Sequence, residues 1–84
     1  MYYVYILYSK HADQFYIGCT GDLEKRLWYH NEGLNRSTKK AKDWIIVYKE
    51  EYKTKSETLK RERFLKKQKN RDFYNRLIKE YNGT

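Results

Sequence analysis

Residues 2–9, YYVYILYS, sort with a period of two, which places Tyr3, Tyr5 and Leu7 on one side and Val4, Ile6 and Tyr8 on the other. That period, in a run rich in tyrosine and branched residues, predicts a β-strand. KHADQ (10–14) is a polar connection of hairpin length. FYIGCT (15–20) reads as a second short strand, so an antiparallel hairpin opens the chain. Gly18 is unusual inside a strand, where glycine marks a bulge or a close approach to the backbone.

The spacing then changes. TGDLEKRLWYHNEG (20–33) predicts a helix: Thr20 or Asp22 can cap its start, acidic residues fill its first turn, and Gly33 suits the left-handed position after its end. LNRSTKKAKD (34–43) is a polar, basic loop, and WIIVYKEEY (44–52) is a third strand, strongest from Trp44 to Tyr48. Thr54 and Glu57 fit a capping box that opens a helix running to about Gln68. Asn70 or Arg71 begins a shorter amphipathic helix, with Phe73, Tyr74, Leu77, Ile78 and Tyr81 on its apolar side. The order β-β-α-β-α-α predicts an α+β fold, a small three-stranded antiparallel sheet flanked by helices. With no proline, repeat or low-complexity tract to mark a boundary, residues 1–84 are expected to form one domain.

Size and charge narrow the function classes. A chain of 84 residues buries roughly 60–65% of its unfolded surface, so its core is thin. One cysteine, Cys19, excludes an intramolecular disulfide, suits a reducing compartment and reads as a buried small residue. No apolar run approaches the roughly 20 residues that span a bilayer, and no basic region followed by an apolar core opens the chain, so a soluble, cytoplasmic protein without a membrane partner is expected. Oligomeric state is not readable, and a monomer is the default. Nineteen Lys and Arg against eleven Asp and Glu leave a net charge of +8. That is the footprint of a polyanion binder, nucleic acid above all, although a solubilising surface has the same composition. Fifteen aromatic residues interleaved with the basic ones favour nucleic acid further, because bases stack on aromatic faces.

Three placements are odd for pure structure. Glu62 lies between Leu59 and Leu65 at helical spacing, inside the stripe that should face the sheet. Either it bridges at an edge to a cation such as Arg61 or Lys66, or the fold has a use for a carboxylate there. Arg26 and His30, four residues apart, point the same way at the border of the Leu23–Leu27 stripe; together they can bind phosphate and move a proton, and a solvent-facing pair has the same spacing. The third is the tyrosines, four of them in YVYILYSKHADQFYIG (3–18), where a hairpin closed by 10–14 brings the regions of Tyr5 and Tyr16 together. No phosphate-cradling glycine loop, zinc spacing or nucleophile elbow competes with these.

Taken together, the residues resemble the GIY-YIG nuclease family. Tyr3-Val4-Tyr5 stands for the first half-motif and Tyr16-Ile17-Gly18 for the second. The arginine and histidine of the family's first helix match Arg26 and His30 in DLEKRLWYH, and its metal-binding glutamate matches Glu62 in LKRERFLKK. The likeness runs from residue 2 to about 69 and is closest to small stand-alone members. Two positions depart from the motif's name, Tyr3 for glycine and Val4 for isoleucine. The resemblance implies hydrolysis of phosphodiester bonds in DNA, ahead of RNA, assisted by one divalent cation, Mg²⁺ or Mn²⁺, held by Glu62. It implies Arg26 on the scissile phosphate and Tyr5 on the attacking water, with Tyr16 or His30 assisting and the general base left open between tyrosine and histidine. Gly18, Lys25, Arg36, Lys39, Lys40, Lys42, Lys66 and the basic 60–69 helix are expected to hold substrate through phosphates, with selectivity for nucleic-acid structure and a setting in DNA repair or recombination. The alternative is a nucleic-acid-binding module of the same fold with little or no activity.

Overall fold

The computed structural model describes residues 1–83. The elements are β1 (Tyr2–Ser9), β2 (Gln14–Thr20), α1 (Leu23–Asn31), β3 (Ile45–Tyr52), α2 (Lys55–Gln68) and α3 (Arg71–Tyr81), in the order that the periodicity predicts. The strands form one antiparallel sheet, β2-β1-β3, with the β1 strand in the centre. Strand β1 is therefore covered on both faces, and its alternation carries two cores rather than one core and one wet face. Val4 and Ile6 join Ile17, Tyr48, Leu65 and Tyr74 under α2 and α3. Tyr5 and Leu7 join Ala41 and Trp44, with Leu23 and Leu27 of α1 packed against them.

The helix ends follow the local chemistry. Asp22 caps α1 by accepting from the Lys25 amide, and Gly33, at φ 75°, takes the left-handed position just past its end. Thr54 caps α2 by accepting from the Glu57 amide at 3.2 Å, while its hydroxyl donates to the Glu57 carboxylate. Lys69, at φ 45°, closes α2, and the Tyr74 hydroxyl seals that end, accepting from the Lys69 amide and donating to the Leu65 carbonyl at 2.8 Å. Asn70 caps α3. Strand β3 begins at Ile45, one residue later than predicted, because the Trp44 backbone bonds in both directions to the Asn31 side chain of α1.

Leu59, expected in the buried stripe of α2, is 40% exposed; the face turned to the sheet is set by Thr58 and Leu65, with Arg61 and Glu62 at its two borders. Arg61 reaches β3, where it donates from Nε at 2.9 Å and from Nη2 at 3.0 Å to the Glu50 carboxylate. Glu50 also accepts from the hydroxyls of Tyr48 and Tyr52. Burial opposes the charge on Glu50, but these donors outweigh it and hold its carboxyl below the usual range, while burial and the carboxylate together push both phenols up to about 12. Breaking this half-buried pair leaves one charge without its partner. Glu50→Ala is expected to destabilise the fold by about 1–2 kcal/mol in urea denaturation, and Glu50→Ala with Arg61→Met to recover part of that loss.

Candidate active site

The face of the sheet under α1 assembles four of the sequence-predicted site residues. Tyr5 is opposite Gly18, and Tyr16, two residues before Gly18, lies on the same face. A Cβ at Gly18 would stand 2.5 Å from the Tyr5 hydroxyl oxygen, 2.7 Å from its Cζ and 3.2 Å from the Tyr16 ring. The space of the missing side chain is thus filled by the Tyr5 phenol, which crosses its neighbour strand at that point. Gly18 is buried, so it shapes the site rather than offering a surface to substrate.

His30, expected at a border open to solvent, is fully buried. Its Nε2 is 3.0 Å from the Tyr5 hydroxyl and its Nδ1 is 2.7 Å from Oγ1 of Thr38, with the Tyr16 ring against it at 4.8 Å between centroids. Burial, reinforced by the Arg26 guanidinium, pushes His30 down to about 4, so it is neutral at physiological pH. Arg26 is half-buried, with its charge beside the Tyr5 and Tyr16 phenols and its guanidinium 4.8 Å from the Tyr29 ring centroid, while its Nε is buried with no partner among the described residues. Burial pushes the Tyr5 phenol up to about 12 despite the opposing influence of the Arg26 guanidinium.

Glu62 comes from the other layer. It stands beside Cys19, whose partner Val4 belongs to the α2-side core, and it pairs with Lys66 at 3.4 Å. Burial and then the Glu62 charge push the half-buried Cys19 thiol up. The edge strand β2 thus has the phenols on one face, at Tyr16 and Gly18, and the carboxylate on the other, at Cys19. No group of three or more His, Cys, Asp or Glu able to hold a metal occurs among the described residues. The Glu62 carboxylate, its side chain 19% exposed, is rimmed by Arg63, Lys66, Lys67 and Lys69; a hard cation that keeps its waters needs few protein carboxylates.

Lys25, Arg36, Lys39, Lys40 and Lys42 are all exposed, the last three lining a hollow with His11 and Asp43. One residue of the site had no signal in the sequence. Thr38 is buried and touches His30, yet it sits in a polar stretch between serine and lysine that reads as solvated loop.

The family model of the GIY-YIG catalytic domain matches residues 1–82. The chain belongs to the GIY-YIG family. A UPF0213 protein of Staphylococcus saprophyticus is 42% identical over 62 residues, covering 73% of this chain and 74% of that protein. A UPF0213 protein of Clostridium perfringens is 38% identical over 68 residues, 80% of this chain and 72% of its own. Comparison with solved structures returns no match. Membership places the chain in a nuclease family, and among the described residues no helix is long and apolar enough to cross a membrane.

Two outcomes test this GIY-YIG site. Gly18→Ala forces its Cβ against Tyr5 and is expected to cost about 1–3 kcal/mol in urea denaturation; Tyr5→Phe in the same chain recovers only part, since the contact with Cζ persists. His30 is protonated near 6.5 when unfolded and only near 4 when folded, so its contribution to stability is whole above about pH 6.5 and is lost as pH falls towards 4. Between pH 7 and pH 5, before most carboxylates titrate, unfolding free energy is expected to fall by about 2 kcal/mol, and the slope to flatten in His30→Gln.

Proposed function

We propose that the chain is a divalent-metal-assisted endonuclease hydrolysing phosphodiester bonds in DNA. The observation that carries this reading is the buried Nε of Arg26, without a partner among the described residues, beside the Tyr5 and Tyr16 phenols. A buried donor without an acceptor costs about 1–3 kcal/mol, and a phosphate oxygen is the acceptor a guanidinium fork suits best. Arg26 binds the scissile phosphate. Tyr5 orients the attacking water; His30, fully buried behind Tyr5, meets the phenol and not the substrate. Tyr16, the more open of the two phenols, contacts the phosphate or the water directly. Glu62 would hold Mg²⁺ or Mn²⁺, which supplies charge stabilisation at the phosphate and the leaving oxygen.

Lys25, Arg36, Lys39 and Lys40 on one side of β2, and Lys66 with its basic neighbours on the other, steady the nucleic-acid backbone across that edge. Such contacts read charge and shape, which suits branched or nicked DNA, a setting in repair or recombination and work in the cytoplasm. A second reading, a DNA-binding module of low activity, is favoured by the burial of His30 and by a Tyr5 phenol pushed up to about 12, neither of them poised as a base near neutrality.

The deciding experiment incubates the protein with branched, nicked and single-stranded DNA and with RNA, in Mg²⁺ or Mn²⁺ and in chelator. Metal-dependent cleavage is expected, reduced about 100-fold or more by Glu62→Ala and by Arg26→Ala, with binding that weakens steeply as salt rises. Cleavage that survives Glu62→Ala would sink the mechanism. Salt-sensitive binding with no cleavage of any substrate would establish the second reading.

A further inference from the structure

The roles above leave unused a buried hydroxyl that touches the site. Thr38 lies in the loop between α1 and β3, fully buried, with Oγ1 2.7 Å from Nδ1 of His30. We propose that Thr38 is a positioning residue: it accepts the Nδ1–H of His30 and so holds the imidazole in the tautomer whose bare Nε2 faces the Tyr5 phenol.

The direction of the chain of hydrogen bonds follows from the two hydroxyls at its ends. A phenol is a far stronger acid than an aliphatic alcohol and so the better donor, and the acceptor in its reach is His30 Nε2 at 3.0 Å. An imidazole that accepts at Nε2 while neutral carries its hydrogen on Nδ1, where Thr38 Oγ1 stands. In the reverse arrangement the weaker acid of the two donates and the acidic phenol hydrogen is left without this acceptor. The aliphatic hydroxyl of Thr38, free to rotate, gives up its own donation at smaller cost.

Thr38 is held firmly enough to do this. Its amide donates to the Asn35 carbonyl at 3.2 Å, and its carbonyl accepts from the Ala41 amide at 3.3 Å and from the Trp44 indole at 2.9 Å. Trp44 is in turn clasped by Asn31, the residue after His30. The loop and the imidazole are thus registered to each other by the same helix end. The result is a chain of hydrogen bonds, Tyr5 to His30 to Thr38, that fixes the direction in which the Tyr5 O–H points and leaves its oxygen lone pairs turned to the rest of the site. The consequence for turnover rests on the nuclease reading; the tautomer does not.

The test is nitrogen-15 NMR of the histidine ring in the full chain, with cleavage assays alongside. In the wild type, His30 is expected to show a protonated Nδ1 and a bare Nε2. Thr38→Val removes the acceptor and is expected to shift the ring towards the Nε2–H form, and Thr38→Ser to restore the wild-type pattern. Turnover should fall about 10- to 100-fold in Thr38→Val with KM within about twofold, and recover in Thr38→Ser. An Nε2–H ring in the wild type, or an Nδ1–H ring that persists in Thr38→Val, overturns the proposal. Should Thr38→Val not fold, the wild-type spectrum together with Thr38→Ser decides it. The expected tautomers with no cleavage by any form uphold the positioning role and remove the nuclease reading instead.

Discussion

The hydrogen bond between the Tyr5 hydroxyl and His30 Nε2 joins the two residues that the α1-side core can least do without, and it exists only because Gly18 leaves room for the phenol. A tyrosine 2% exposed is already a large apolar group in place. Its hydroxyl, carried into the same space, must be satisfied there, and His30 satisfies it from α1, with the Arg26 charge beside it. The site is therefore not grafted onto a finished core. One set of contacts packs α1 on the sheet and also aims a phenol, an imidazole and a guanidinium at one another. A small domain has few residues to spare, and here the same ones carry stability and chemistry.

The second constraint is that β1 is shared. Its alternating side chains feed both layers, so the α2-side core of Val4 and Ile6 and the α1-side core of Tyr5 and Leu7 sit on the two faces of a single strand. Whatever the phenols and Glu62 do jointly must pass around β2, the edge strand, because the middle of the sheet is closed on both sides. Positive charge follows the same geography, with the Lys39–Lys40–Lys42 loop on one side of the fold and the outer face of α2 on the other. A polyanion that touched both would wrap an edge rather than lie on a face.

Much of this was legible in the residues. Alternation in YYVYILYS carried both cores, and Asp22, Gly33, Thr54 and Asn70 announced helix ends because caps answer a local need for donors and acceptors. The grouping of Tyr5, Tyr16, Arg26 and His30 was legible only through a family motif, since four residues apart on a helix fixes a common direction and says nothing of what lies there. Burial of His30 was opposite to the bland expectation, because an imidazole on a helix border becomes interior only when a loop folds over it. That loop was unreadable: polar residues such as Thr38 look solvated until a partner for the hydroxyl is known. Leu59 was misplaced for a related reason. Two borders of α2 are held by a bidentate ion pair and a carboxylate, which turns the helix away from the orientation that its leucines alone would choose.

Arg61 and Glu62 are consecutive, and consecutive side chains on a helix diverge by about 100°. Arg61 grips β3 while Glu62 leans to the opposite border, over β2. Leu65, buried in the core, holds the middle of the helix, and the Arg61 grip fixes its rotation about that anchor. That rotation decides where along β2 the Glu62 carboxylate stands. The acidic arm of this molecule is set, in part, from the far edge of its sheet.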